Sequence, residues 1–186
     1  MYRKAAIVVS ITLLAFTTAC GSHKSASSPS SGSGSSGATG APVSAATCPT
    51  QNTRSFAKTR FVADAALAGG AFKHWIYTPM KEGKFKKGTH GRIKAIVKAV
   101  AAGAFTLNRL NAAKTNAQAS PLLCKLTIAP IAKFQSAISN IVHKGKTGSV
   151  DPSAVTEANS VLGQFHSGAA GGGAGFTDNQ NANIGG

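Results

Sequence analysis

The sequence predicts an all-α domain, a four-helix antiparallel bundle over residues 48–166, flanked by a disordered N-terminal tether and a disordered C-terminal tail. Three observations predict it. Apolar residues recur three and four apart along four separate stretches. At Ser120-Pro121 and Asp151-Pro152, a capping residue precedes a proline at the first helical position, where its missing N–H costs nothing. Alternating strand patterns with hairpin turns are absent.

The first stripe is Phe61, Ala65, Ala68, Phe72 and Trp75, and the second Ile93, Val97, Val100, Ala104 and Leu107. Both helices carry small residues four apart (Ala65 and Gly69, Ala66 and Gly70, Ala99 and Gly103), a spacing that lets two backbones approach closely. Leu123, Leu126, Pro130, Phe134, Ala137 and Ile141 make the third stripe. Pro130 cannot donate its backbone bond, so a kink or break is expected there, with arms at 122–129 and 131–144. The fourth stripe is Val155, Ala158, Leu162 and Phe165, with Val150 and Val155 spaced as a hydrophobic staple around Asp151. Gly145 and Gly168 stand where left-handed C-caps are expected. A swapped helix order, or a loosely docked fourth helix, is the alternative arrangement.

The flanks differ in composition. Of the 27 residues at 21–47, 15 are Ser or Gly and only Val43 is a sizeable apolar side chain, too little to bury a core. The tail, 167–186, is rich in Gly, Ala and Asn and reads the same way.

Ahead of the tether, Met1-Tyr-Arg-Lys is basic, 5–16 are almost all apolar, and Thr17-Thr-Ala-Cys20-Gly closes the run with small residues. That order reads as a secretory signal peptide over residues 1–19. A membrane-spanning anchor is the competing reading, but residues 5–19 fall short of the roughly 20 that a spanning helix needs. With Cys20 just after the cut, the run resembles the lipobox of bacterial lipoproteins, although Thr17 stands where that pattern usually has Leu. The resemblance implies cleavage before Cys20, a lipid on its sulfur, and a 20–47 linker on the outer face of the membrane. The plan of a Ser/Gly tether followed by a basic helical domain is similar to small exported lipoproteins of high-GC Gram-positive bacteria. That similarity brings no activity with it.

Two cysteines remain, Cys48 and Cys124, and an even pair outside the cytoplasm is a disulfide candidate. The whole chain carries 20 Lys and Arg against 5 Asp and Glu. Removal of Arg3 and Lys4 with the leader lowers the net charge only from +15 to about +13. Such an excess favours anionic surroundings. For an exported chain these are phospholipid head groups or wall polymers, and intracellular nucleic acid is set aside.

The cations are densest around the connection of the first two helices, read as Trp75 to Arg92. Lys73, Lys81, Lys84, Lys86, Lys87 and Arg92 lie there, joined on the second helix by Lys94 and Lys98, with Trp75 and Tyr77 interleaved. Lysines gain about 1 kcal/mol each near an anionic membrane, and Trp and Tyr favour the boundary between apolar and wet surroundings. A solvated basic loop, with Trp75 and Tyr77 merely capping the core, is the plainer reading.

Enzyme signals are poor. Asp64, Glu82, Asp151, Glu157 and Asp178 offer no evident acid–base pair, and His74, His90, His143 and His166 lack metal-ligand spacing. Neither a G-x-S-x-G elbow nor a P-loop occurs. No catalytic residue, metal or cofactor is therefore expected. Three function classes stay open: a binding module for anionic lipid or wall polymer, an accessory protein docking to a membrane complex, and a membrane-active helical hairpin.

Overall fold

The computed structural model describes residues 48–182 and 184. The leader, Cys20 and the linker to residue 47 lie outside the described residues. α1 (Ala57–Phe72) continues through a π-helical turn (Lys73–Tyr77) into one last α-helical turn (Thr78–Lys81). α2 (Arg92–Ala117), α3 (Pro121–Lys146) and α4 (Pro152–Gly171) follow after short connections, and no strand occurs among the described residues. Each helix packs on the next in the chain, giving the expected four-helix bundle.

Four fully buried phenylalanines tie non-neighbouring helices together. Phe72 of α1 meets Phe134 of α3 edge to face at 5.3 Å, and Phe61 of α1 meets Phe165 of α4 at 5.8 Å. The fourth stripe is buried as read, and so is the first as far as Phe72. There Pro79 intervenes. It has no N–H for Trp75, and its ring crowds that carbonyl. The helix widens just upstream, with the Thr78 amide bonding back to Lys73. The extra residue carries Ile76 into the core and leaves Trp75 half-buried at the rim.

The second and third stripes require correction. On α2 the buried line is Ile96, Ala99, Ala102, Thr106, Leu110, Ala113 and Ala117, whereas Ile93 and Val97 are 64% and 62% exposed. Periodicity weighted by bulk selects the wrong side here, because alanines form much of the core-facing line. On α3 the line is Leu123, Thr127, Ile131, Phe134, Ile138 and Ile141, and Leu126 is exposed. Buried Thr127 remains satisfied, its hydroxyl donating to the Leu123 carbonyl at 2.6 Å.

Pro130 does not break α3, which runs through it unbroken. The proline leaves the Leu126 carbonyl without its usual amide partner, and Gly168 of α4 packs against that carbonyl so closely that a Cβ would overlap it. Gly168 is thus a contact point inside α4, not its cap. Gly145 likewise lies inside α3, receiving Val100 of α2, while Gly103 of α2 receives Val142 of α3. This reciprocal fit sets the close approach of α2 and α3; Gly103 does not close the first hairpin.

Among the caps, Asp151 acts as expected. Its carboxylate accepts from the Ser153 amide at 2.9 Å and the Ser153 hydroxyl at 2.7 Å. Those Ser153 bonds, aided by nearby Lys144, hold its carboxyl below the ordinary carboxylate range. Val150 and Val155 are both buried beside it. Ser120 is buried, but its side chain makes no capping bond. Cys48 and Cys124 are bonded, with Cα atoms 5.6 Å apart, fixing the start of the described chain to the first turn of α3.

The tail departs furthest from expectation. α4 runs on to Gly171, and the chain then folds back across α1. Phe176 stacks on His166 at 4.2 Å and contacts Phe165 and Phe61. The Asn179 amide donates to the Ala66 carbonyl at 2.9 Å. Gly69 and Gly70 make room for this strap: a Cβ on either would overlap Asp178 or Asn179. Scattered Gly and Asn read as disorder because the apolar anchors that hold the segment, chiefly Phe176 and Ala182, are few and widely spaced.

Candidate functional site

The connection between α1 and α2 is shorter than its composition suggests. Lys73–Lys81 is helical, leaving Glu82–Gly91 as the loop. Gly88 and Gly91 have φ of 85° and 76°, a backbone conformation that side chains with a Cβ resist. Phe85 is buried beneath the loop and fixes its middle to the core.

Arg92 is the clamp. Its Nε donates to the Phe85 carbonyl at 2.9 Å, and its Nη2 donates to the Gly148 carbonyl at 2.6 Å. The second bond ties the turn after α3 to the basic loop. Arg92 therefore holds the site together instead of presenting a free charge. Lys73 also leaves the group, because its ammonium pairs with the Asp178 carboxylate at 3.1 Å on the strap side. Tyr77 packs at a tilt on Phe72, with ring centroids 6.3 Å apart, and serves the core.

The others gather at one end of the bundle. Lys81, Lys86, Lys87 and Lys94 are exposed and form no ion pair among the described residues. Lys84 reaches Glu82 only at 3.9 Å, an exposed pair that contributes little. Lys98 sits 4.8 Å above the ring of Trp75, a cation–π contact that also shields the indole.

Two clefts open beside these lysines. One, of about 440 Å³, is lined by Met80, Lys81, Phe85, Lys86, Lys87 and Val150 among others. The second, of about 220 Å³, has Trp75 and Pro79 with Lys84, Lys94 and Lys98 at its edges. Each combines an apolar lining with ammonium groups. A larger groove, about 470 Å³ between α3 and α4, sets Lys133 and Glu157 among Ser, Asn and Gln and gathers no single sign of charge.

Sequence reading missed two contributors to this end. Lys146 and Lys144, the latter 3.6 Å from Asp151 in an exposed pair, lie in the last turn of α3, close in sequence to the turn that Arg92 draws to the loop. A basic final helical turn was a visible signal; its adjacency to residues 82–91 depends on a contact 56 positions apart. Ile93 and Val97 were read as core, so their exposure beside Lys94 and Lys98 was missed as well.

Among the described residues, no group of three His, Cys, Asp or Glu converges on a metal position. Asp64, at the other end, is bound by Arg109 at 3.4 Å and by the Asn116 amide at 3.3 Å, a polar lock between α1 and α2. No helix among the described residues is long and apolar enough to cross a membrane. In comparisons with family models, curated proteins and solved structures, nothing matches this chain.

Proposed function

We propose that this chain is a lipid-anchored extracytoplasmic protein whose basic end binds the phosphate groups of an anionic surface, lipid head groups or a wall polymer, without catalysing a reaction. The observation that carries the reading is the segregation of charge. Lys81, Lys84, Lys86, Lys87, Lys94 and Lys98 crowd one end, and Glu82 is the only carboxylate within that stretch. Such crowding costs stability through self-repulsion, which a polyanion relieves.

Division of labour follows from magnitudes. Two acyl chains on Cys20, at about 0.8 kcal/mol per buried CH2, would supply residence at the membrane. Exposed lysines at about 1 kcal/mol each would orient the bundle on it, reversibly and in a salt-dependent way. The described chain begins beside the first turn of α3, opposite the basic loop. α2, with 26 residues, is about 39 Å long at 1.5 Å per residue. The 27 residues between Cys20 and Cys48 can bridge at most about 90 Å, enough for the far end to meet the anchoring surface.

The test uses residues 20–186 with Cys20→Ser, so that no acyl chain contributes. Sedimentation with anionic vesicles at low salt is expected to occur for this chain and to fall at least tenfold for K84Q/K86Q/K87Q. Unchanged sedimentation of the triple variant would reject the site.

A further inference from the structure

We infer that the first two turns of α2 seat shallowly in an anionic lipid bilayer, with Ile93 and Val97 as the inserted side chains. This rests on the reading above and deepens it, choosing a bilayer over a hydrated polymer as the surface bound.

Ile93 and Val97 lie one turn apart and are 64% and 62% exposed, which sets them among the few large apolar side chains left in water among the described residues. Ala101 and Ala104 continue the same outer face, and Asn108 and Asn111 end it. The apolar part therefore occupies only the half of α2 nearest the basic loop. Lys94 and Lys98 sit one step around the helix, and Lys98 caps Trp75 at 4.8 Å. Trp75 in turn lines the cleft whose edges are Lys84, Lys94 and Lys98.

Charge and shape together identify the occupant. A wall polymer offers phosphates to the lysines but no hydrocarbon to cover Ile93 and Val97. A bilayer offers both: anionic head groups at the level of Lys84, Lys94 and Lys98, and acyl chains about 5–10 Å deeper. Trp75, half-buried beside Lys94 and Lys98, is a side chain that favours the boundary between the two. A symmetric second copy is disfavoured, since pairing these faces would bring Lys94 and Lys98 against their own counterparts. Long lysine stems lie along apolar surface while their ammonium groups stay in the head-group layer, so insertion need not bury a charge.

Trp75 is the only tryptophan in the chain, so its fluorescence reports on this edge alone. The full processed chain is reconstituted into vesicles of phosphatidylcholine with phosphatidylglycerol, or of phosphatidylcholine alone, with and without brominated acyl chains. Bromine is expected to quench Trp75 at least twofold in the anionic vesicles. I93S/V97S should remove that quenching while the protein stays attached, and I93A/V97A should reduce it partially. Both pairs are exposed sites, and thermal melting checks that the bundle is intact.

Quenching that is equal in the double-serine variant would overturn the proposal. So would sedimentation equilibrium showing a dimer that I93S/V97S dissolves, which would assign the face to a second copy. Loop-dependent binding to soluble poly(glycerol phosphate), without bromine quenching in bilayers, would overturn the seating and leave the anionic-surface reading standing. No bromine quenching, no polymer binding and no sedimentation of the Cys20→Ser chain with anionic vesicles would overturn both.

Discussion

Asp151 shows how far one residue can be argued from sequence to measurement. Asp before Pro at a helix start specifies a cap, and the structure supplies the Ser153 bonds that depress its carboxyl below the usual range. A lowered folded-state value means the carboxylate stabilises the fold above the unfolded value of about 3.9 and stops doing so as pH falls through the folded one. D151A is expected to lower the melting temperature at pH 7, with the gap from wild type closing below about pH 4. A gap that persists undiminished at pH 2 would assign the loss to something other than the charged cap. Residues of this kind were legible because cap chemistry is local. Lys73 and Arg92 were not. Both look like free cations in a basic run, yet their partners, Asp178 and Gly148, lie 105 and 56 positions away.

Elements were legible where bulk marks the core and misread where closeness does. α4 buries Val155, Ala158, Leu162 and Phe165 as its spacing requires. α2 does not follow bulk, because alanine makes up much of its inner line and leaves Ile93 and Val97 outside. The strap is the other case, since a segment held by backbone contact with two glycines carries almost no apolar period to read. Gly70→Ala places a methyl on the Asn179 backbone and is expected to cost about 1–3 kcal/mol. Hydrogen exchange at the Asn179 amide should rise with it, as its bond to Ala66 opens. Gly163→Ala is the matched control in α4, where an added Cβ meets nothing, and should be neutral or stabilising by up to about 1 kcal/mol. Equal behaviour of the two variants would mean that the strap is not held by close contact.

At the scale of the molecule, composition fixed the class and chain topology fixed the rest. Helical content, the four helices and the cysteine pair were all visible; the buried faces of α2 and α3 were not, nor was which lysines share a surface, since that depends on how loop and turn meet. The Cys48–Cys124 bond closes a loop of 76 residues, and in the chain-entropy model such a bond contributes roughly 4 kcal/mol. Denaturant midpoints of C48A/C124A against the oxidised protein should show a loss of that order. A bundle with this net charge has reason to depend on it, because self-repulsion opposes compaction.

In the proposed function, location and not total charge makes the basic end a binding surface. Two variants of the unacylated chain, K84Q/K86Q/K87Q and K114Q/K125Q/K133Q, lose the same three charges from different places. Their partition onto anionic vesicles should be compared at one low salt concentration, where screening is weakest. At least a tenfold loss is expected for the first and less than a threefold change for the second. Equal losses in both would contradict it.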